Sequence, residues 1–486
     1  MLNVRTEGEK TVGNPFNTKV DVPNGSNTSG NANTAIGSFS LLSNTTGGNN
    51  TAVGQYSLRN NTIGVYNTAV ASGALYYNTT GNYNSAVGFY SLLLNTTGAY
   101  NSAFGMYAMR NNTGGVRNSA FGYGALLTNS VGTNNTAVGY LALYTNTAND
   151  NTAVGYRSLY QNTIGTSNAA FGYSALRNNT TSGNNAFGYK ALFANTTGYR
   201  NAAFGFAALQ NNTIGTNNAA FGYQTLQTNT TGSNNTAVGL NSLFSNTIGA
   251  RNSAFGSQAL FANTIGVDNS AFGYVALNSN TTGTQNTAIG AYALANNTVG
   301  TSNTAVGRSS LQINTLGVSN SAFGHYSLLY NTTGANNSAF GDAALQTNTI
   351  GVNSTAMGRS ALKNSTASNN NAFGAYALLN NTTGTNNSAF GLNSMRFNTI
   401  GSNNVAFGGS LYSNTTGNFN VAVGVAALNA NTIGSNNTAV GYTALQQNTT
   451  GIKNTAVGDA SLQANTTGSN NTAFGYASLN VNTTNN

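Results

Sequence analysis

The chain has 486 residues and a formal net charge of +9, and only 5% of its residues are charged. That fraction is far below the roughly one quarter found in ordinary globular proteins. The absence of Cys excludes disulfides and thiolate metal sites, and no run of 18 apolar residues predicts a membrane-spanning helix. The basic residues are too dispersed for a nucleic-acid interface, which needs clustered Lys and Arg.

Residues 1–32 do not follow the pattern of the rest of the chain. They contain both prolines, Pro15 and Pro23, and equal numbers of basic and acidic residues. The open end of a repetitive β-structure pairs readily with other strands and therefore needs a cap. We expect residues 1–32 to cap the structure that follows or to attach it to another component.

Residues 33–486 consist of 27 copies of one unit, N-T-A-(V/F)-G-x-x-(A/S)-L-x-x-N-T-(T/I)-G-x-N, usually 17 residues long. We number its positions 1–17 from the leading Asn. Position 3 is Ala in every copy, and position 4 is always a bulky apolar residue. Position 9 is Leu or Met, except where Leu411 comes one residue early. Columns this constant predict an ordered repeat structure rather than a disordered low-complexity chain.

Positions 1–5 predict a short strand closed by Gly, because position 4 is β-branched or aromatic. Positions 12–15 are typical of a turn, in which we expect Gly to adopt positive φ. Positions 6–9 are compatible with a second strand or with a single helical turn. A 17-residue unit is too short for a helix pair. We therefore predict an all-β fold, a parallel β-solenoid (β-roll-like) of about 27 coils, ~4.8 Å apart and on the order of 130 Å long.

Four copies have only 16 residues. Three of the losses lie between the Leu and the next Asn, around residues 147–150, 179–183 and 363–369, and the fourth lies at 408–411. The apolar columns continue through all four copies. We therefore expect strands to fix the register and turns to absorb the changes in length.

Positions 3 and 4 are adjacent and both apolar, although successive strand residues point to opposite faces. We expect the Val/Phe column of position 4 to fill the interior. The Ala column of position 3 would then form a smooth outer stripe that packs against another chain. The alternative is a sharp turn that directs both columns inward. The first arrangement predicts a homo-oligomer, and we favour a homotrimer.

Every position stacks on copies of itself, so like charges in one column would repel by about 1 kcal/mol even in water. Asn and Thr avoid this repulsion, and their side chains can form hydrogen-bonded ladders along the stack. The thirteen basic residues of the repeats fall at positions 6, 7, 10 and 17. We expect these variable positions to face outward; examples are Arg308, Lys190, Arg59 and Arg117.

The tandem pattern, for example at 437–451, resembles repeats of bacterial and phage proteins grouped with tail fibres. It is more distantly similar to the head repeats of trimeric autotransporter adhesins. The resemblance covers residues 33–486. It implies a trimeric, solenoid-like fibre with attachment or spacer duty, located in a virion fibre or at the cell surface. It implies no catalytic residue.

Residues suited to catalysis are sparse. His325 is the only histidine and occupies variable position 6, where we expect a solvated surface residue. Among Asp150, Asp268, Asp342 and Asp459, the nearest two are 74 residues apart, too far for a catalytic pair within one chain. No Asp recurs in register, as calcium-binding solenoids require. We predict a protein that is not an enzyme, with no catalytic, cofactor-binding or metal site.

The candidate binding residues are outward tyrosines at position 6. A column of Tyr could stack the sugars of a glycan or cell-surface receptor, because the ring is apolar and the hydroxyl polar. The alternative is that the rings stack on one another and only stabilise the solenoid. The residues are Tyr123, Tyr140, Tyr156, Tyr173, Tyr189 and Tyr223.

Three functions from different classes remain open. The first, which we favour, is a structural fibre or adhesin that acts as a spacer or receptor-attachment shaft. The second is an ice-binding β-solenoid, in which Thr columns such as Thr45, Thr62 and Thr79 would order water. The third is a polysaccharide-cleaving enzyme, which would need acids from different chains to meet at an interface.

Overall fold

The computed structural model describes residues 18–20 and 30–484, and within these residues all regular secondary structure is β-strand. Each repeat contributes one three-residue strand at positions 2–4, and one further strand precedes the repeats. The strands are β1 (Thr18–Val20), β2 (Thr34–Ile36), β3 (Thr51–Val53), β4 (Thr68–Val70), β5 (Ser85–Val87), β6 (Ser102–Phe104), β7 (Ser119–Phe121), β8 (Thr136–Val138), β9 (Thr152–Val154), β10 (Ala169–Phe171), β11 (Asn185–Phe187), β12 (Ala202–Phe204), β13 (Ala219–Phe221), β14 (Thr236–Val238), β15 (Ser253–Phe255), β16 (Ser270–Phe272), β17 (Thr287–Ile289), β18 (Thr304–Val306), β19 (Ser321–Phe323), β20 (Ser338–Phe340), β21 (Thr355–Met357), β22 (Asn371–Phe373), β23 (Ser388–Phe390), β24 (Val405–Phe407), β25 (Val421–Val423), β26 (Thr438–Val440), β27 (Thr455–Val457) and β28 (Thr472–Phe474).

The chain divides into two units, residues 1–237 and 238–486. In the first unit, strands β1 to β13 pair in sequence order, each parallel to the next. In the second unit, strands β15 to β28 pair in the same way. Position 3 always lies opposite position 3, as Ala203 lies opposite Ala220. The predicted parallel β-solenoid with one coil per repeat is therefore confirmed.

The shortened copies keep this register. Ala remains opposite Ala across each of the four, at the pairs Ala137–Ala153, Ala170–Ala186, Ala356–Ala372 and Ala406–Ala422. The missing residue is taken from a turn each time, because a shift within the strand would exchange its inner and outer faces. The prediction that turns absorb the length changes is confirmed.

The coil interior is built from positions 1, 3, 8, 9 and 12. Position 4 points out of the coil and is half-buried or exposed in every repeat. The predicted orientation of positions 3 and 4 is therefore wrong, and so is the alternative that directs both inward. The Leu side chain of position 9 fills most of the narrow interior. Only the methyl group of Ala fits beside it at position 3. In the coil 201–217 the buried residues of these five positions are Asn201, Ala203, Ala208, Leu209 and Asn212.

Positions 6–9 form neither a second strand nor a helical turn. Positions 7 and 9 have positive φ, 54° at Ala207 and 51° at Leu209. The amide of Ala207 donates to the preceding coil, at Tyr189 O, and the amide of Leu209 donates to the following coil, at Thr225 O. Side chains that are not branched at Cβ tolerate positive φ better than Val or Ile, which agrees with the restriction of position 9 to Leu and Met.

Glycine is required at positions 5 and 15 for different reasons. Gly205, at position 5, has a φ of 138°, and a Cβ there would overlap the carbonyl of Gly222 in the next coil. Gly215, at position 15, does not adopt positive φ, contrary to the prediction for this turn. A Cβ at Gly215 would instead overlap Asn212 Oδ1. The left-handed residue of the turn is position 17, where φ is 55° at Asn217, a residue type that favours this conformation.

The predicted cap or attachment segment, residues 1–32, lies outside the described residues except for 18–20 and 30–32. Of its described part, β1 runs parallel to β2, the strand of the first repeat. The role of this segment stays a prediction.

Candidate functional site

Asparagine ladders run through the interior of the coils. Asn212 Nδ2 donates to Asn195 Oδ1 of the preceding coil at 2.8 Å and to Gly215 O of its own coil at 3.0 Å. The amide of Asn201 donates to Asn184 Oδ1 at 2.9 Å, which forms the second ladder. A carboxamide suits such a stack because it donates and accepts without charge. The predicted Asn ladders are confirmed, and they lie inside the coil.

No Asp, Glu, His, Lys or Arg is buried among residues 30–484. The polar groups of the interior are amides and hydroxyls of Asn, Ser and Thr. These amides and hydroxyls neither gain nor lose a charge near neutral pH, so they cannot serve as general acids or bases there. Any chemistry or binding of the described coils is therefore a property of their outer surface.

The position-4 column is the most uniform outer feature. We call it the position-4 stripe; it runs from Ile36 in the first repeat to Phe474 in the last. Its residues are Val, Ile, Phe or Met without exception, and Phe121 and Met357 are each 41% exposed. Successive rings stack on each other, with centroids 4.6 Å apart for Phe187 and Phe204. Position 2 on the same outer face admits Thr, Ser, Asn, Ala and Val.

The six predicted binding tyrosines lie in one outer column of the first unit and stack ring on ring. Centroids of successive rings are 5.0–5.4 Å apart, and their planes are tilted by only 7–14°. Phe206, which the prediction omitted, stacks between Tyr189 and Tyr223. We call this stack the tyrosine ladder; its rings, 37–48% exposed, are those of Tyr123, Tyr140, Tyr156, Tyr173, Tyr189, Phe206 and Tyr223.

The tyrosine ladder presents ring edges to solvent rather than ring faces. Inside the stack each face covers the next ring, so a sugar has no free face on which to stack. Two cations flank the ladder: the Arg157 guanidinium carbon is 5.2 Å from the Tyr156 ring centroid, and Lys190 Nζ is 5.2 Å from that of Tyr189. The geometry therefore favours the alternative in which the rings stabilise the solenoid.

Two contacts between a basic and an acidic side chain occur in the described part of the chain, each between successive coils in one outer column. Arg251 Nε lies 2.6 Å from Asp268 Oδ1, and a second guanidinium nitrogen donates to Oδ2 at 2.9 Å. The hydrogen bond from Arg251 lowers the pKa of Asp268. His325 is an exposed surface residue, as expected, with Nδ1 3.2 Å from Asp342 Oδ1. Opposite charges can thus share a column that would not tolerate two like charges.

The Thr hydroxyls of the column considered for ice binding donate hydrogen bonds to backbone carbonyls. Thr45 Oγ1 donates to Thr62 O at 2.9 Å, and Thr62 Oγ1 donates to Thr79 O at 3.0 Å. Each hydroxyl proton is therefore committed to the next coil rather than directed to solvent. The ice-binding hypothesis stays a prediction, and this geometry gives it no support.

A concave site lies beside the shortened coil 168–183. It is an open cleft of about 480 Å³ that we call the notch. Nothing in the tyrosine pattern pointed to it; the signal was the loss of one residue from the turn. Its lining residues are Ile164, Thr166, Ser167, Thr180, Thr181, Ser182, Gly183, Tyr199 and Arg200.

Within residues 18–20 and 30–484 no group of three His, Asp or Glu residues is placed to hold a metal ion. The same residues include no helix long and apolar enough to cross a bilayer. Comparison of the chain with protein-family models and with curated proteins gives no match. The resemblance of the repeat to tail-fibre and adhesin repeats therefore stays a prediction.

Proposed function

We propose that this chain is a non-enzymatic structural protein of a virion tail fibre or cell-surface appendage, a spacer or attachment shaft assembled as a homotrimer. The observation that carries the proposal is the position-4 stripe, which stays apolar in every repeat although it faces outward. Other exposed positions of the outer surface, such as 6 and 17, vary freely. An invariant outward apolar column is typical of a surface that another chain covers.

The stripe is large enough for a stable interface. A Phe side chain contributes 150–250 Å², so one that is two-fifths exposed presents roughly 60–100 Å². The first unit alone carries twelve stripe residues, from β2 to β13. Val and Ile contribute less than Phe, so this part of the stripe offers on the order of 700 Å². A standard interface buries about 800 Å² per partner.

The spacing of the stripe suits a second copy of the same chain. Its Phe rings recur at 4.5–5.0 Å, which is the repeat of the solenoid itself. A parallel copy would present the same spacing, so rings from the two chains could interdigitate over many coils. A partner with another period would lose register after a few coils. The resemblance to trimeric fibre repeats supports three chains rather than two.

The proposal predicts that the stripe, and not another aromatic column, holds the chains together. The stripe variant replaces Phe187, Phe204 and Phe221 by Thr. The matched control replaces Tyr173, Tyr189 and Phe206 of the tyrosine ladder by Thr, which removes the same number of stacked rings from neighbouring coils. We expect light scattering to show a reduced assembly mass for the stripe variant and the wild-type mass for the control. Equal masses for the two variants would contradict the proposed interface.

A further inference from the structure

The notch owes its existence to the missing residue of the coil 168–183. The position-14 side chain of the preceding coil, Ile164, loses its cover there and is 75% exposed. The isoleucines at position 14 that precede regular coils are 48–55% exposed; they are Ile63, Ile214, Ile248, Ile265 and Ile433. Val131 and Ile350, which precede the other two coils shortened in this turn, are 62% and 65% exposed. A one-residue deletion in this turn thus uncovers an apolar floor in the wall of the solenoid.

Only one of these three sites combines an apolar floor with an aromatic ring and a cation. Tyr199 is 45% exposed, and the Arg200 guanidinium carbon lies 5.6 Å from its ring centroid. Neither of the two contacts between basic and acidic side chains in the described residues involves Arg200. The shortened turn next to Val131 contains Asp150 instead, whose charge would repel an anion.

Hydroxyl groups form the rim of the notch. Ser182 Oγ accepts hydrogen bonds from the amide of Thr166 at 3.0 Å and from Thr166 Oγ1 at 3.2 Å. Neither bond uses the proton of Ser182, which stays available to a ligand. Thr180 Oγ1 and Thr181 Oγ1 donate to the backbone of the next coil. Thr181 Oγ1 also accepts a bond from Asn184 Nδ2 at 3.3 Å, so Thr180 Oγ1 is the freer acceptor of the two.

We infer that the notch binds a sugar residue that carries a carboxylate, as part of an acidic polysaccharide. The apolar face of a pyranose suits Ile164 and the Tyr199 ring, its hydroxyls suit the Ser and Thr rim, and its carboxylate suits Arg200. The surrounding charge agrees, because residues 33–237 contain seven Arg or Lys and one Asp. The inference names a partner for the attachment role and in that respect rests on the proposed function.

The test is titration of the full-length chain with a uronic-acid trisaccharide and with the neutral hexose trisaccharide of the same linkage, followed by calorimetry or NMR. The variant is Arg200→Asn, and the matched control is Arg117→Asn, which removes the same charge from position 17 of a regular coil. Asn is common at position 17 and tolerates its positive φ, so both variants should fold.

Wild-type protein and Arg117→Asn should bind the acidic trisaccharide equally well, and Arg200→Asn should bind it at least about tenfold more weakly. Equal binding by Arg200→Asn and wild type, equal affinity of wild type for the neutral sugar, or no binding by wild type would each overturn the inference. Light scattering on the same samples reports assembly separately. A failure of sugar binding is thereby distinguished from a failure of the proposed fibre.

Discussion

Asn212 lies at the centre of an interior asparagine ladder, and replacing it by Ala tests what that ladder contributes. The change removes the donor to Asn195 Oδ1 and the acceptor of Asn229 Nδ2. Gly215 O keeps the bond from Asn201, and Asn229 Nδ2 keeps its bond to Gly232 O. One buried acceptor is therefore left without a partner and one donor loses half of its bonds.

A buried polar group without a partner costs about 1–3 kcal/mol. With the half-satisfied donor included, Asn212→Ala should destabilise its coil by about 2–4 kcal/mol. The control is Asn211→Ala, one residue away. Its side chain is exposed, and its backbone bond to Gln227 O is unaffected by the change.

Amide hydrogen exchange is the suitable assay, because long repeat proteins can open locally and have no single unfolding free energy. The free energy of opening should fall at the amides of Leu209 and Thr213 in Asn212→Ala and stay within about 0.5 kcal/mol of wild type in Asn211→Ala. Equal effects of the two substitutions would refute the view that the ladder is a buried, mutually satisfied network.

Three further predictions concern other parts of the solenoid. Ala203→Val should destabilise the coil by about 1–3 kcal/mol through overpacking, whereas Ala202→Val on the outer face should be nearly neutral. Thermal unfolding compares the stability of the two variants. A larger loss of stability in Ala202→Val than in Ala203→Val would contradict the orientation of the strand. Ser365→Asn should stabilise the second unit by about 0.5–1.5 kcal/mol, because it offers a donor to Asn348 Oδ1, which is buried without a partner. Urea unfolding should show the increase in stability. A decrease in stability would mean that the shortened coil cannot accommodate the Asn side chain. The carboxyl of Asp268 should titrate below 3.8, so its ion pair with Arg251 stabilises the fold above that pH and is lost as pH falls through the lowered pKa. In Arg251→Gln, NMR titration should show the midpoint of the Asp268 titration return towards 3.8. A midpoint equal to that of wild type would exclude the Arg251–Asp268 ion pair in solution.

Position 7 was expected to face outward, but its residues are buried or half-buried, as Ala207 shows. The repeat pattern was otherwise sufficient to predict the parallel solenoid, its register and the exposed variable positions 6 and 17. It did so because each of these features follows from period and from columns that survive deletions, such as the Ala column through residues 137 and 153. Strand alternation also required positions 3 and 4 to face opposite sides. Alternation does not say which side is the interior, and the larger residue was assigned to it wrongly.

The missing information was the width of the coil. Leu209 already fills the interior, so the facing position is limited to the methyl of Ala203, and invariance of Ala was itself the sign of a tight interior. The sequence also contained a sign of the backbone conformation of positions 6–9. A position held to Leu or Met in a β-rich repeat, with no Val or Ile, is compatible with positive φ.

The candidate binding sites were less accessible to prediction. Tyrosines at position 6 were recognisable as outward, but their mutual stacking depends on ring rotamers that spacing does not specify. The notch depends on which side chain a deletion uncovers, at Ile164, and on what the next coil places beside it, at Arg200. Predicting either of these two features requires the path of the turn as well as its length.

The number of chains in the native protein tests the central claim most directly, namely that the outward position-4 stripe is covered by copies of the same chain. Native mass measurement or light scattering at micromolar concentration should give three times the chain mass of 49.7 kDa. A folded protein that remains a single chain of 49.7 kDa would leave the stripe exposed to water and would contradict the account.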